Sequence, residues 1–294
     1  MNGDTVVSAG TAVVAPPRRD RRWPPTIPLA IVGALVVCAL FAPWLAPHSP
    51  LDGSLGDRLK PPVGMENAVR EHPLGTDRLG RDTLSRLIYG ARISLSVSVV
   101  GILLTGTLGG FVGLFAGFLG GWVDTLLMRL VDVSLSLPGI LIAVLLSVVF
   151  EPSFRNVIIV VVFLLWPSYA RLVRGETLGI KHQEFVALAR IAGCSPLTIM
   201  FRHIVPNLVP SVLVLATLHV GYVIVLEAAL SFLGVGIPPP TPSWGVMVAD
   251  GRGLIEQAWW VSMLPGIAIL VTVLSLNILG DWVRDRLDPK LRQV

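Results

Sequence analysis

The distribution of charge along this chain constrains its fold more than any other feature. Six segments contain no Asp, Glu, Lys or Arg: 23–51, 93–123, 133–150, 156–170, 203–226 and 257–280. Most are long enough to cross the roughly 30 Å of hydrocarbon in a bilayer as an α-helix. Hydrophobic residues make up 53% of the chain and charged residues only 14%, which is outside the range of soluble globular domains. The sequence therefore predicts an all-α membrane protein with six transmembrane helices.

Arginines before the first apolar segment set the predicted orientation. They are Arg18, Arg19, Arg21 and Arg22, and positive residues beside a span favour the cytoplasmic side. We therefore expect a multi-pass protein of the bacterial cell membrane with both termini in the cytoplasm. A cleaved signal peptide is the alternative, but 27–46 is long for one and no small-residue cleavage pattern follows it. The net charge of +4 fits contact with anionic lipids and requires no nucleic-acid partner.

The apolar pattern divides the chain into five parts. They are a cytoplasmic tail 1–26, a first transmembrane helix 27–46, an extracytoplasmic segment 47–92, a core of five helices 93–280 and a cytoplasmic tail 281–294. The run 228–249 is also uncharged, but it contains four prolines between 238 and 242. Proline cannot continue a lipid-exposed helix. We expect this run to end span five and continue as non-helical chain covered by protein.

A polar segment between the fourth and fifth apolar runs, at about 182–200, predicts a bent helical loop. Its apolar residues recur at helical spacing on one face: Phe185, Leu188, Ala189 and Ala192. Gly193 stands where the end of a helix favours a residue with positive φ. Ser195 is a good N-cap and Pro196 suits the first helical position, so a second helix can start at once. The expected result is a rigid element that faces the cytoplasm.

This loop resembles the EAA loop of binding-protein-dependent ABC importer permeases, which inserts into a groove on a cytoplasmic ATPase. The family pattern is Glu-Ala-Ala, three residues, Gly, nine residues and Ile-x-Leu-Pro. The matching positions here are Ala187-Leu188-Ala189, Gly193 and His203-Ile204-Val205-Pro206. The acid is missing at 187, and we expect Glu184, three residues earlier and on roughly the same face, to replace it. The resemblance implies a set of residues that couple to the ATPase: Glu184, Phe185, Ala187, Arg190, Gly193 and Ser195.

Four further segments resemble the permeases of dipeptide and oligopeptide importers: 72–95, 120–132, 227–245 and 281–292. The first begins with His-Pro-Leu-Gly-Thr-Asp and continues as a predicted amphipathic helix on the membrane surface. One side of that helix carries Leu84, Leu87, Ile88 and Ala91. Two interpretations remain open for it, an outer platform near a docked solute receptor and a stiff connector that orients the second span.

Glycines recur every four residues in the second apolar run: Gly109, Gly113, Gly117 and Gly121. Such a stripe has almost no side chains, so another helix can approach its backbone closely. The predicted role is helix packing. The partner is either another span of this chain or the equivalent helix of a second permease.

Two ionisable residues in span five are candidates for the transport pathway. His219 and Glu227 are eight residues apart and so lie near one face of a helix, and ionisable groups inside membranes are often functional. The alternatives are a hydrogen bond from His219 to a neighbouring helix and a position for Glu227 at the outer boundary of the membrane. The Glu-Ala-Ala at 227–229 is not a second coupling motif, because its spacing to Gly234 is one residue too long.

Several motifs are absent from the sequence. None of Lys60, Lys181 and Lys290 follows a glycine, so no Gly-x-x-x-x-Gly-Lys phosphate loop exists. Zinc-protease, thiol-redox and serine-hydrolase motifs are absent as well. Cys38 in a span and Cys194 in the cytoplasmic loop cannot pair, and the sequence shows no His, Met or Cys ligand cluster. We therefore expect no catalytic residue, no metal and no cofactor in this chain, with ATP and Mg²⁺ bound by partner ATPases.

Together, the resemblances imply the type I ABC importer permease fold with cytoplasmic EAA-type coupling helices. They imply a non-catalytic permease subunit of an ATP-driven importer of small peptides. Its partners would be a second homologous permease, two ATPases and an extracytoplasmic substrate-binding protein. Permeases for nickel, glutathione or haem are alternatives within the class. An ion-coupled secondary transporter, with His219 and Glu227 as proton relay, is the alternative from another class.

Overall fold

A computed structural model of the chain describes residues 24–287; Arg18, Arg19, Arg21, Arg22 and the tail after 287 lie outside the described residues. Within this range the chain is helical, with two isolated β-bridges. The helices are α1 (Thr26–Leu40), α2 (Ala42–Leu45), α3 (Thr83–Leu119), α4 (Gly121–Ser136), α5 (Gly139–Val149), α6 (Phe154–Ile180), α7 (Glu184–Ile191), α8 (Pro196–Thr198), α9 (Val205–Phe232), α10 (Trp244–Gly251) and α11 (Trp260–Leu287). Short 3-10 turns occur at Leu55–Asp57 and Arg252–Leu254, and a π-helical turn at Ile199–Ile204 joins α8 to α9.

Four helical stretches of the described chain are long and apolar enough to cross a membrane. They are α3, α6, the run from α8 through α9, and α11. The pair α4 and α5 meets the same criterion together, as a fifth and bent span. The remaining apolar helix, α1, has 15 residues and is about 22 Å long. The structure thus has six apolar helical segments, of which one is short and one is broken.

The span predicted over 133–150 is not one continuous helix. α4 ends at Ser136 and α5 begins at Gly139, with an angle of 88° between them. Leu137 has an extended backbone with ψ 135°, because the ring of Pro138 disfavours a helical conformation for the residue before it. By contrast, the short run 156–170 lies inside α6, whose 27 residues are sufficient for a span.

The expected amphipathic helix before span two is not a separate element. α3 is continuous from Thr83, so the predicted boundary at 92/93 falls inside a helix. Its first turns pack against α10: the Nε1–H of Trp244 donates to the Leu87 carbonyl at 3.0 Å. A Cβ atom at Gly90 would lie only 2.6 Å from the indole ring of Trp244. One side of these turns is therefore covered by α10.

The Pro-rich run 228–249 is partly as expected. α9 ends at Phe232, and the chain is then irregular until α10, with Ile237 and Ser243 buried. Its last residues, from Trp244 onward, form a helix, so the prediction of non-helical chain is wrong there. At the C-terminal end, α11 continues to Leu287, beyond the predicted start of the tail at 281.

Three glycines pack α3 directly against α6: Gly109, Gly113 and Gly117. An added Cβ at Gly113 would lie 2.4 Å from the carbonyl oxygen of Ala170, and one at Gly109 would lie 2.4 Å from that of Trp166. The partner of the stripe is therefore another helix of the same chain. The prediction is wrong for Gly121, because α3 ends at Leu119 and Gly121 begins α4 with open space where a side chain would be.

Candidate coupling loop and polar sites

The polar loop forms the bend that its sequence predicts. α7 ends at Ile191, and Gly193 adopts φ +78°. The N–H of Cys194 donates to the carbonyl of Ala189 at 3.1 Å, and the N–H of Gly193 donates to that of Arg190 at 3.0 Å. This pair of hydrogen bonds is the Schellman motif, which satisfies the free carbonyls at the end of a helix.

The next helix starts immediately after this bend. The Ser195 hydroxyl accepts the N–H of Thr198 at 3.2 Å, and Pro196 occupies the first helical position. From there the chain continues through the π-helical turn into α9. The bend is therefore connected to a transmembrane span without an intervening flexible loop.

The inner face of the loop packs on the membrane helices. Val186 and Ala189 are buried in a cluster with Ile199, Met200 and Ile204, to which α3 and α6 also contribute. This differs from the predicted face, because Phe185 and Leu188 are exposed. The outer face is largely apolar: Leu188 is 65% exposed and Ile191 is 83% exposed.

The predicted coupling residues lie on this outer surface. All are exposed: Glu184, Phe185, Ala187, Arg190, Gly193 and Ser195. Glu184 is in the first turn of α7 and Arg190 in its last turn, so both charges complement the helix dipole. The loop thus presents apolar side chains flanked by an acid and a base to a surface outside this chain.

Ion pairs hold the turn between α3 and α4 to α6. The Arg174 guanidinium donates to both carboxylate oxygens of Asp124, the longer contact being 2.7 Å. Arg171 pairs with Asp132 at 2.7 Å, and the ammonium group of Lys181 donates to the carbonyl of Gly117 at 2.7 Å. α3, α4 and α6 are therefore connected on the side of the molecule that carries the coupling loop.

Glu227 is enclosed between helices. It is fully buried, and its two carboxylate oxygens accept the hydroxyls of Ser94 on α3 at 3.1 Å and Ser231 on α9 at 2.8 Å. Ser243, which caps α10, is a third neighbour. In this conformation the carboxylate links three elements and does not line an open channel.

His219 has a different environment. Its ring meets the edge of Tyr169 at a centroid distance of 5.3 Å and lies 6.2 Å from Tyr222. The Nδ1 atom of His219 and the hydroxyl of Tyr169 are buried and have no hydrogen-bond partner among the described residues. Eight residues of helix separate His219 from Glu227, which is about 12 Å along the axis. The structure therefore does not join the two groups into a relay.

A buried charge cluster connects the segment before α3 to α10. Asp77 pairs with Arg81 at 2.7 Å and also with Arg86. Asp250 on α10 pairs with Arg78 at 3.0 Å and with Arg81 and Arg86 at 3.5 Å each. Burial acts to raise the pKa of Asp77, but the guanidiniums of Arg86 and Arg81 and two backbone N–H donors lower it on balance.

The charge cluster borders a cavity of about 590 Å³. Its wall includes Arg78, Asp250, Arg252, Phe232 and Pro239. The sequence alone indicates neither the charge cluster nor the cavity, although Asp77 and Arg81 belong to the segment 72–95 that resembles peptide-importer permeases. Asp250, which pairs with Arg81, is 169 residues away from it in the sequence, so only the folded chain brings the cluster together.

The sequence analysis also missed a group of possible metal ligands. His48, His72 and Asp82 each place a ligand atom within 4.8 Å of the others. The expectation that the chain holds no metal stays a prediction, although these three residues have a spacing that could hold an ion. The sequence contained no local signal, because the three residues come from separate parts of the segment between α2 and α3.

The arrangement of the helices and the coupling loop can be compared with that of solved membrane proteins. The chain has the fold of an inward-facing MetNI methionine ABC transporter chain, with a TM-score of 0.57 over 69% of this chain and 96% of that one at 17% identity. At this identity the likeness shows the fold alone. It is the type I ABC importer permease fold, in a mostly helical membrane protein.

Two family descriptions match the sequence. Residues 84–293 match the binding-protein-dependent transport system inner membrane component, and 27–62 match the N-terminal TM domain of oligopeptide transport permease C. The chain is 43% identical to the di/tripeptide transport system permease protein DppC of Pseudomonas aeruginosa over 88% of this chain and 85% of the relative. It is also 43% identical to the dipeptide transport system permease protein DppC of Escherichia coli K12, over 90% of each. The chain belongs to the binding-protein-dependent transport system inner membrane component family.

Proposed function

We propose that this chain is a transmembrane permease subunit of an ATP-driven importer of di- and oligopeptides. The names of its relatives, which match over most of the chain, support the peptide cargo. Family membership supports an ATPase and an extracytoplasmic substrate-binding protein as partners. A second, homologous permease completes the proposed pathway, because the helices of one chain form a thin wall for a polar solute. The proposed complex contains two ATPases, and both termini of this chain lie in the cytoplasm.

The observation that carries the proposal is the exposed apolar surface of the coupling loop. Leu188, Ile191 and Leu197 are each more than half exposed, on a loop whose backbone is rigidly capped. Exposed apolar side chains grouped on a rigid element are typical of a protein interface. The described part of this chain leaves this surface uncovered, and we infer that an ATPase subunit covers it.

The same loop provides a path for movement. α7 packs through Val186 and Ala189 onto a cluster that includes Leu114 of α3, Val173 of α6 and Leu208 of α9. Tightly packed interiors transmit displacement because they have few voids to absorb it. A push from the ATPases on α7 would therefore reach three spans at once and rock them between inward-open and outward-open states.

His219 and Glu227 remain proposed pathway residues. Glu227 is closed off here by Ser94 and Ser231, so it reaches a substrate only in a state in which α3 and α9 separate. There its carboxylate would meet the amino group of an entering peptide. His219 has a free ring nitrogen already directed into the helix bundle.

Transport by a reconstituted complex tests the class and the cargo together. The complex should take up dipeptides when ATP is supplied, also after a protonophore collapses the proton gradient, and uptake should stop when ATP is depleted. Uptake that follows the proton gradient would contradict the ABC mechanism. Parallel uptake of nickel, glutathione or haem in place of peptides would keep the class and overturn the cargo.

The isolated polypeptide tests its role as a subunit. Purified without partners, it should neither hydrolyse ATP nor transport, because the sequence has no phosphate loop. Peptide-stimulated ATPase activity from the pure chain would refute a non-catalytic permease role. ATP hydrolysis restored only on adding the ATPase subunits is the expected control result.

A further inference from the structure

Three side chains on the segment outside α3 converge on one point. His72 Nδ1 lies 3.0 Å from Asp82 Oδ1, and His48 Nδ1 lies 3.9 Å from Asp82 Oδ2. The two imidazole rings are 4.8 Å apart between centroids. The group combines two imidazole nitrogens with one carboxylate.

This combination is a ligand set for zinc. Zn²⁺ binds His nitrogen and carboxylate oxygen at about 2.0–2.2 Å, so tetrahedral ligand atoms lie about 3.3–3.5 Å apart. His72 Nδ1 lies 3.0 Å from Asp82 Oδ1, close to that value, and His48 Nδ1 lies 3.9 Å from the other carboxylate oxygen, Oδ2; one ligand atom from each of the three residues lies within 4.8 Å of the others. Small side-chain rotations would bring them to a common distance, and three protein ligands leave a fourth position for water.

The ligands are already held in place by neighbouring groups. Asp82 Oδ2 accepts the N–H of Ser85 at 2.8 Å and its hydroxyl at 2.7 Å, which leaves Oδ1 directed at His72. The same Ser85 hydroxyl accepts the backbone N–H of His48 at 3.0 Å. Groups that orient ligands in this way raise metal affinity about 10–100-fold.

The exposure of these three side chains and the charges around them also suit a cation that enters from the solvent. The side chain of Asp82 is 0% exposed, that of His72 12% and that of His48 40%, so the group opens on one side. The nearest cations, Arg81 and Arg86, are directed at Asp77 and Asp250. They therefore do not occupy the Asp82 carboxylate.

We propose that His48, His72 and Asp82 form a Zn²⁺ site with a water molecule as the fourth ligand. Metal ligands must be deprotonated, so the affinity for the ion falls as the solution becomes acidic. Bound zinc would tie the chain after α2 and the loop at residue 72 to the N-terminus of α3. The site acts on the outer segment of this chain and does not depend on the identity of the transported solute.

Zinc binding to the chelator-stripped complex in nanodiscs tests the site. Experiments use a Cys194→Ser background, so that the accessible thiol does not contribute. We expect one equivalent of Zn²⁺ per chain, with affinity at least about tenfold weaker in each of His48→Gln and His72→Gln. His182→Gln, which changes an exposed histidine on another part of the chain, is the matched control and should bind like the parent.

Thermal unfolding gives a second readout. Zinc should raise the unfolding temperature of the parent and of His182→Gln but not that of His48→Gln, because a ligand that binds only the folded state stabilises it. His48 is partly exposed, so its variant should fold even where His72→Gln does not. Unchanged zinc affinity and an unchanged zinc-induced shift in His48→Gln would overturn the proposal, as would the absence of saturable binding to the parent.

Discussion

Gly193→Val is the sharpest test of the coupling loop. Gly193 has φ +78°, and a Cβ added there would meet no heavy atom within 4 Å. The substitution therefore creates no clash inside this chain, and its cost comes from the backbone conformation alone. For an L-residue in the left-handed region that cost is about 1–2 kcal/mol, and a β-branched side chain is especially unfavourable there.

This backbone strain disfavours the bent conformation of the loop. The strain opposes the hydrogen bonds from Gly193 and Cys194 that close the end of α7. A change of about 1–2 kcal/mol shifts a two-state equilibrium about 5–30-fold. If coupling requires the bent form, we expect transport to fall by up to about that factor, while insertion and abundance stay close to those of the parent.

Two matched variants separate backbone strain from other effects. Gly193→Asn adds a side chain of similar size, but asparagine tolerates positive φ, so transport should be largely retained. Gly179→Val places the same side chain on α6, where there is also open space but no positive φ, and should transport nearly normally. The assay is peptide uptake and ATPase activity of the reconstituted complex, normalised to the amount of complex.

Three outcomes of this assay would contradict the explanation. Normal uptake by Gly193→Val would show that the bend does not couple ATP to movement. Equal loss in Gly193→Val and Gly193→Asn would show that steric blocking of the ATPase surface, and not φ, is responsible. Loss of abundance in both would place the effect on folding.

Three further predictions follow from the polar residues. Glu227→Gln keeps the shape and the contacts to two serine hydroxyls but removes the charge, so uptake of free peptides should fall more than uptake of amino-blocked peptides; an equal fall, or no change, would leave Glu227 a packing role only. Cys194 should react with a membrane-impermeant thiol reagent only after right-side-out vesicles are permeabilised, and labelling of sealed vesicles would contradict the orientation. Asp77 has a folded-state pKa lowered below its ordinary value of 3.8, so its stabilising effect is complete at neutral pH and is lost as the pH falls through that lowered pKa. Asp77→Asn should therefore lower the unfolding temperature at pH 7. If the difference in unfolding temperature between the parent and Asp77→Asn persisted undiminished in acid, it would argue against the ion pairs.

Local chemistry made the coupling loop predictable. Gly193, Ser195 and Pro196 each favour one backbone arrangement, and the structure has all three in it. The apolar segments were predictable for a similar reason, because a bilayer requires long uncharged helices. The bend at Pro138 was overlooked, although the rule for residues before proline could have located it.

Tertiary contacts account for the remaining differences. The first turns of α3 carry an amphipathic pattern that fits either a membrane surface or a protein surface, and only the position of Trp244 decides between them. Glu227 looked accessible because the serines that enclose it come from α3, α9 and the turn before α10. His48, His72 and Asp82 have no local spacing that indicates a shared site.

The glycine contacts between α3 and α6 have a mechanical consequence. With 37 residues, α3 is about 55 Å long, well beyond the hydrocarbon thickness of roughly 30 Å. Because the backbone of α3 lies directly against α6, the two helices form a stiff pair. They cannot slide along each other without first separating. A tilt of this helix pair by about 10° around its middle would displace the two ends of α3 by about 5 Å each, in opposite directions. A small displacement of the helix ends beside the ATPases would then produce a displacement of similar size at the charge cluster, because the pair tilts about its middle within the membrane.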